Sequence, residues 1–117
     1  SELSIGIGPF VIEPAVSRKI GKTAFAQLSL EAERFKSASW AEEKGLYSSV
    51  VSSEEILKNN VTETALRLAN YAPEAVKNLR KIHWKETDHW ETLLTQNAEI
   101  TAKLVLEEAT QNILKSL

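Results

Sequence analysis

The sequence predicts a mainly α-helical fold of five to six helices with one or two short strands, and three observations carry that prediction. Apolar residues recur every three or four positions over most of the chain. Alternating apolar and polar runs of strand length occur only at Leu3 to Ile7 and at Leu46 to Val51. Residues that start and stop helices stand at the ends of the periodic stretches.

Glu13-Pro14 opens the first helix, because proline's missing N–H costs nothing in a first turn. It runs from Ala15 to Ile20 and stops at Gly21; Thr23 then caps a second helix through Phe25, Leu28 and Ala32. Ser37 caps a two-turn helix containing Trp40 and Ala41, with Gly45 beyond its end as a left-handed residue. Ser52 and Glu55 form a capping box for a helix whose apolar positions Leu57, Val61, Ala65, Leu68 and Ala72 step by 4, 4, 3 and 4. Pro73 starts the next helix, with Val76, Leu79 and Ile82 or His83 on its inner face and Glu74 at its positive end. The tract Lys85-Glu86-Thr87-Asp88 breaks the pattern, and Asp88 with Glu91 caps a long helix carrying Trp90, Leu93, Leu94, Ile100, Leu104 and Val105. A last turn near Glu107 leads to Ile113, Leu114 and Leu117.

With 117 residues, 43% of them hydrophobic, the chain supports one modest core and a single domain. Fourteen Lys+Arg against sixteen Asp+Glu leave a net charge of -2, so no cationic field draws nucleic acid or an anionic membrane, and neither is expected as a partner. The absence of Cys excludes disulfides, thiol nucleophiles and thiolate metal sites and fits a cytoplasmic location. No apolar run approaches the roughly 20 residues of a membrane helix. Asn60-Val61-Thr62 is a glycosylation sequon by pattern, expected in mid-helix and unmodified.

The one arrangement that points to chemistry is the first twenty-one residues. Glu2, a short apolar run, Gly6, Pro9, then Arg18 three residues before Gly21 resemble the second catalytic segment of the enoyl-CoA hydratase/isomerase (crotonase) family. Phe35 with Lys36-Ser37-Ala38, Ala41, Gly45-Leu46 and Val50-Val51 resemble the family's next block, in the same order and near the same spacing. The resemblance implies that the chain is the helical C-terminal portion of a crotonase (ClpP/crotonase-like) fold. What precedes Glu2 in the family is the sheet-rich half with the oxyanion hole, most of the coenzyme A site and an earlier catalytic glutamate. It divides residues 1–117 into an active-site segment (1–21), core helices with a short strand (22–72) and oligomerisation helices (73–117). It further implies an acyl-CoA thioester as substrate, no cofactor, no metal, and a homotrimer or hexamer for the full-length protein.

For Glu2 the residues alone allow a solvated acid at a frayed terminus; the resemblance makes it the group that exchanges the α-carbon proton of the thioester. Hydration needs a second glutamate to position water, whereas isomerisation of the double bond proceeds with one. Hydratase is the expected activity, isomerase its nearest alternative, and a non-enzymatic helical interaction module the alternative of another class; these 117 residues alone are expected to be inactive. After Pro9 the chain departs from the family, with Phe10-Val11-Ile12-Glu13 in place of a glycine-rich turn. Phe10 and Val11 then either narrow the acyl pocket toward short or branched groups or serve as core. His83, Glu86 and His89 have the look of metal ligands, but the capping residues between them argue for a helix break. Trp84 and Trp90 read as core or subunit interface, and Lys77, Arg80, Lys81 and Lys85 as a solvated helix face before they read as a phosphate site.

Overall fold

The computed structural model describes residues 2–117. A short 3-10 helix, Glu2–Ile5, precedes six α-helices: α1 (Glu13–Leu30), α2 (Ala38–Glu43), α3 (Glu54–Ala69), α4 (Pro73–His83), α5 (Trp90–Leu106) and α6 (Glu108–Ser116). The fold is mainly α, and no strand occurs among the described residues. The two expected strands are therefore corrected. Residues 2–5 coil because a strand needs a ladder partner, whereas a 3-10 turn satisfies its groups locally: Gly6 N–H donates to the Leu3 carbonyl at 3.2 Å and Ile7 N–H to the Glu2 carbonyl at 3.1 Å. At Leu46 and Tyr47 both backbone N–H groups are spent on the Ala41 carbonyl, at 2.7 and 3.1 Å, so that segment wraps the end of α2.

The helix boundaries follow local chemistry. Pro14 sits in the first turn of α1, and Gly21 (φ 79°, ψ 159°) leaves helical geometry inside it, so α1 is two helical runs joined at a kink. Ser37 caps α2 with its hydroxyl accepting from Trp40 N–H at 3.1 Å. The helix closes in a Schellman motif: Gly45 (φ 77°) donates to the Glu42 carbonyl at 2.9 Å while Leu46 N–H bonds that of Ala41. For α3 the cap is Ser53, whose hydroxyl accepts from Ile56 N–H at 3.3 Å. The expected Ser52–Glu55 box does not form: the cap is Ser53, the position with extended backbone next to the helix, and Ile56 three residues on has no side-chain acceptor to return the bond. Asn60 lies within α3, and Pro73 opens α4 as expected. His89, not Asp88, stands at the N-terminus of α5 without a side-chain cap bond, so the Asp88–Glu91 box does not form. The turn expected near Glu107 separates α5 from α6.

Two compact units emerge: Ser1–Ser48 together with His89–Leu117, and Ser49–Asp88. In the first unit the 3-10 helix packs on α1 and α6, and α5 packs on α6. Its interior is small: among the described residues Gly8, Pro14, Ala24 and Ala41 are buried, with Thr110 the buried polar residue. The second unit, α3 and α4, buries no residue. The stripe Leu57, Val61 and Leu68 and the expected inner-face residues Leu79 and Ile82 are exposed, because α3 and α4 are amphipathic helices whose apolar sides have nothing of their own unit to cover them.

Candidate functional site

Glu2 opens the 3-10 helix, which packs on both α1 and α6. Glu2 lines a cleft of about 290 Å³ whose apolar wall comes from Phe25 and Leu28 of α1 and Trp40 of α2. The polar rim includes Arg34 and Lys36, and Glu2 is the one carboxylate among the described residues that line the cleft. Lys36 is committed elsewhere: it pairs with Glu31 and its ammonium lies 5.8 Å from the centre of the Trp40 ring. Arg34, on the loop between α1 and α2, is the other cation on the cleft's lining, and its charge also acts on Glu31.

A hydrogen bond from its own backbone N–H holds the Glu2 carboxyl below the usual carboxylate range, against the opposing effect of desolvation. Glu2 is therefore ionised at neutral pH, the form that accepts a proton from a carbon acid. An apolar wall beside an ionised carboxylate can hold an apolar ligand next to a proton acceptor.

Phe10 sits at a second, smaller and mainly apolar cleft of about 180 Å³, with Leu3, Pro9, Phe25 and Leu30. Phe25 and Pro9 line both clefts, so the two share a wall. The Phe10 ring folds back over Gly8 so closely that a Cβ there would lie 2.5 Å from the ring's Cζ. Val11, the other pocket candidate, is exposed and lines neither cleft. The structure thus brings Glu2 and Phe10 to adjoining clefts and leaves Val11 outside both.

Sequence reasoning missed the residues that hold this segment. Thr110 Oγ1 donates to the Gly6 carbonyl at 3.0 Å, and Asn97 Nδ2 to the Phe10 carbonyl at 2.8 Å. Both contacts span about ninety residues or more, to a backbone atom, and no residue pattern announces such a pair. His83 ends α4 and His89 precedes α5, so the two imidazoles do not share a helix. Among the described residues no group of three or more His, Asp or Glu is arranged as a metal site, and no helix is long and apolar enough to cross a membrane.

No curated protein and no solved structure matches the chain significantly. The sequence profile described as enoyl-CoA hydratase/isomerase matches residues 1–116, nearly the whole length, and the chain accordingly belongs to the enoyl-CoA hydratase/isomerase family.

Proposed function

We propose that this chain works as the helical part of an enoyl-CoA hydratase, with Glu2 moving the proton at the α-carbon of an enoyl-CoA thioester. The observation that supports the reading is that Glu2, its carboxyl held below the usual carboxylate range, lines a mainly apolar cleft. In hydration, water's oxygen joins the β-carbon and a proton joins the α-carbon. In the reverse direction the Glu2 carboxylate removes that α-proton, and by microscopic reversibility the same group delivers it during hydration. No electron changes hands overall, so the reaction calls for no redox cofactor. The water-positioning acid and the donors that stabilise the enolate-like oxygen are supplied from outside these 117 residues in this reading, and the working protein is a trimer or a dimer of trimers.

A second reading, migration of the double bond, is favoured by one observation: Glu2 is the single carboxylate on its cleft among the described residues. One carboxylate suffices to take a proton from one carbon and return it to another.

The test is turnover of crotonyl-CoA, followed by loss of enoyl absorbance, beside conversion of a 3-enoyl-CoA, using the protein that carries this chain. Glu2→Gln keeps shape and deletes the titratable group. It should raise the barrier by roughly 3 to 5 kcal/mol while leaving acyl-CoA binding nearly unchanged. Turnover by Glu2→Gln at the parent rate on both substrates would overturn the role of Glu2. A parent protein that binds no acyl-CoA would replace the enzyme reading with that of an interaction module.

A further inference from the structure

We propose that Thr110 and Asn97 are positioning residues for Glu2: the two C-terminal helices set the register of the segment on which the proposed proton-transfer group stands. The proposal rests on the reading of Glu2 given above and adds to it the residues that fix where its carboxylate points.

One peptide unit, the plane that joins Gly6 to Ile7, links α6 to Glu2. Its carbonyl, that of Gly6, accepts from Thr110 Oγ1 on α6 at 3.0 Å. Its N–H, that of Ile7, donates to the carbonyl of Glu2 at 3.1 Å. Hydroxyl, peptide and Glu2 carbonyl therefore form one chain of hydrogen bonds, in which each bond polarises the next. Thr110 is 2% exposed, so its hydroxyl has no solvent to turn to and its direction is fixed by that acceptor. Asn97 on α5 holds the far end of the same loop through the Phe10 carbonyl at 2.8 Å. Between these two anchors lie only residues 7 to 9, too short a stretch to relax independently of them.

A carboxylate that exchanges a carbon-bound proton needs its oxygen placed to a fraction of an ångström, and a misplacement of about 1 Å costs on the order of 100-fold in rate. Neither Thr110 nor Asn97 lines the Glu2 cleft, so neither touches a molecule bound there. Thr110 acts on the Glu2 segment through the Gly6–Ile7 peptide, and Asn97 through the Phe10 carbonyl at the other end of the loop.

The test uses the protein that carries this chain, with kcat and KM measured on the enoyl-CoA it turns over. Thr110→Val keeps the shape and removes the donor; it should lower kcat about 10- to 100-fold with KM within about twofold, and displace the acid limb of the kcat–pH profile. Thr110→Ser, which restores the hydroxyl, should recover most of the loss. In a Glu2→Gln background Thr110→Val should leave the residual rate within about twofold, since no proton-transfer group remains to be placed. Amide exchange at Ile7 should quicken in Thr110→Val whatever the activity. If Thr110→Val does not fold, Asn97→Asp, which loses the donor at a part-buried site, carries the same comparison. Parent-like kcat in the folded donor-deleted protein would overturn the proposal, as would an equal loss with and without the Glu2 carboxylate. Parent-like turnover by Glu2→Gln itself would overturn the reading beneath it, a distinct result read from a separate variant.

Discussion

Gly6 lies against Thr110 so closely that a methyl group on its Cα would stand 2.4 Å from the threonine Oγ1 and 3.0 Å from its Cβ. The residue also has φ +85°, a conformation that side-chain-bearing residues rarely adopt. Strain and overlap therefore act together on any substitution. Gly6→Ala should lower stability by about 2 to 3 kcal/mol in urea unfolding, more than either cause alone would give. A loss under about 0.5 kcal/mol would mean that α6 does not pack on the Glu2 segment as described.

The two serine caps give a sharper test of helix register. Ser37→Ala and Ser53→Ala each delete a hydroxyl that accepts a first-turn N–H, from Trp40 and Ile56 respectively, and each should cost about 1 kcal/mol. Ser52→Ala, one position away and outside the helix, should fall within about 0.5 kcal/mol of the parent. Thermal unfolding of the three proteins side by side distinguishes Ser53 from Ser52 as the cap of α3.

Ser17 presents the opposite case. Its Oγ is buried within α1 and finds no hydrogen-bond partner among the described residues. Replacing it with alanine removes an unsatisfied hydroxyl and installs a better helix former, so Ser17→Ala should stabilise by about 1 kcal/mol and raise the melting temperature by a few degrees. A lower melting temperature would show that the hydroxyl has a partner after all.

Much of this architecture is legible in the sequence, and the reason is locality. Pro14, Gly21, Ser37, Gly45 and Pro73 act within a turn of their own position, and the structure uses each where the sequence places it. The misread features depend on something distant. An alternating run such as Leu3 to Ile7 becomes a strand only beside another strand, and among the described residues none is offered, so it coils. Ser52 and Ser53 are equivalent as residue types, and only the backbone angles choose between them. At the site, Glu2 is marked by the pattern that follows it, whereas Thr110 and Asn97 are polar residues on amphipathic helices like several others. Their carbonyl acceptors lie 104 and 87 positions away.

Glu31 gives a pH prediction with a defined sign. The hydrogen bond from Lys36 holds its carboxyl below the ordinary value of 4.5, with the charge of Lys36 adding to the effect. A depressed acid stabilises the fold above its unfolded pKa, and that stability is lost as pH falls through the folded value. The parent should therefore weaken between pH 5 and pH 3 more than Glu31→Gln does, as read from urea midpoints at the two pH values. Because the pair is near the surface, 1 M salt should shrink the difference. Equal acid sensitivity in the two proteins would show that the pairing is not formed in solution.

The last prediction concerns surface. The chain exposes 9163 Å², whereas two separate compact bodies with the masses of its two units would expose only about 7,600 Å². The excess is apolar in part: Leu57, Val61 and Leu68 lie along one side of α3, and each is about half exposed or more. Side chains three and four residues apart on a helix form a continuous stripe, and apolar patches beyond a few hundred Å² are uncommon on isolated monomers. The 117-residue chain should therefore self-associate, with its weight-average mass in sedimentation rising as concentration increases from micromolar to millimolar. Val61→Glu places a charge in the middle of that stripe without disturbing an intrahelical contact. It should move the association to at least tenfold higher concentration while leaving the helical circular dichroism signal intact. Strictly monomeric behaviour of the parent across that range would mean that the apolar side of α3 is covered by its own chain in solution.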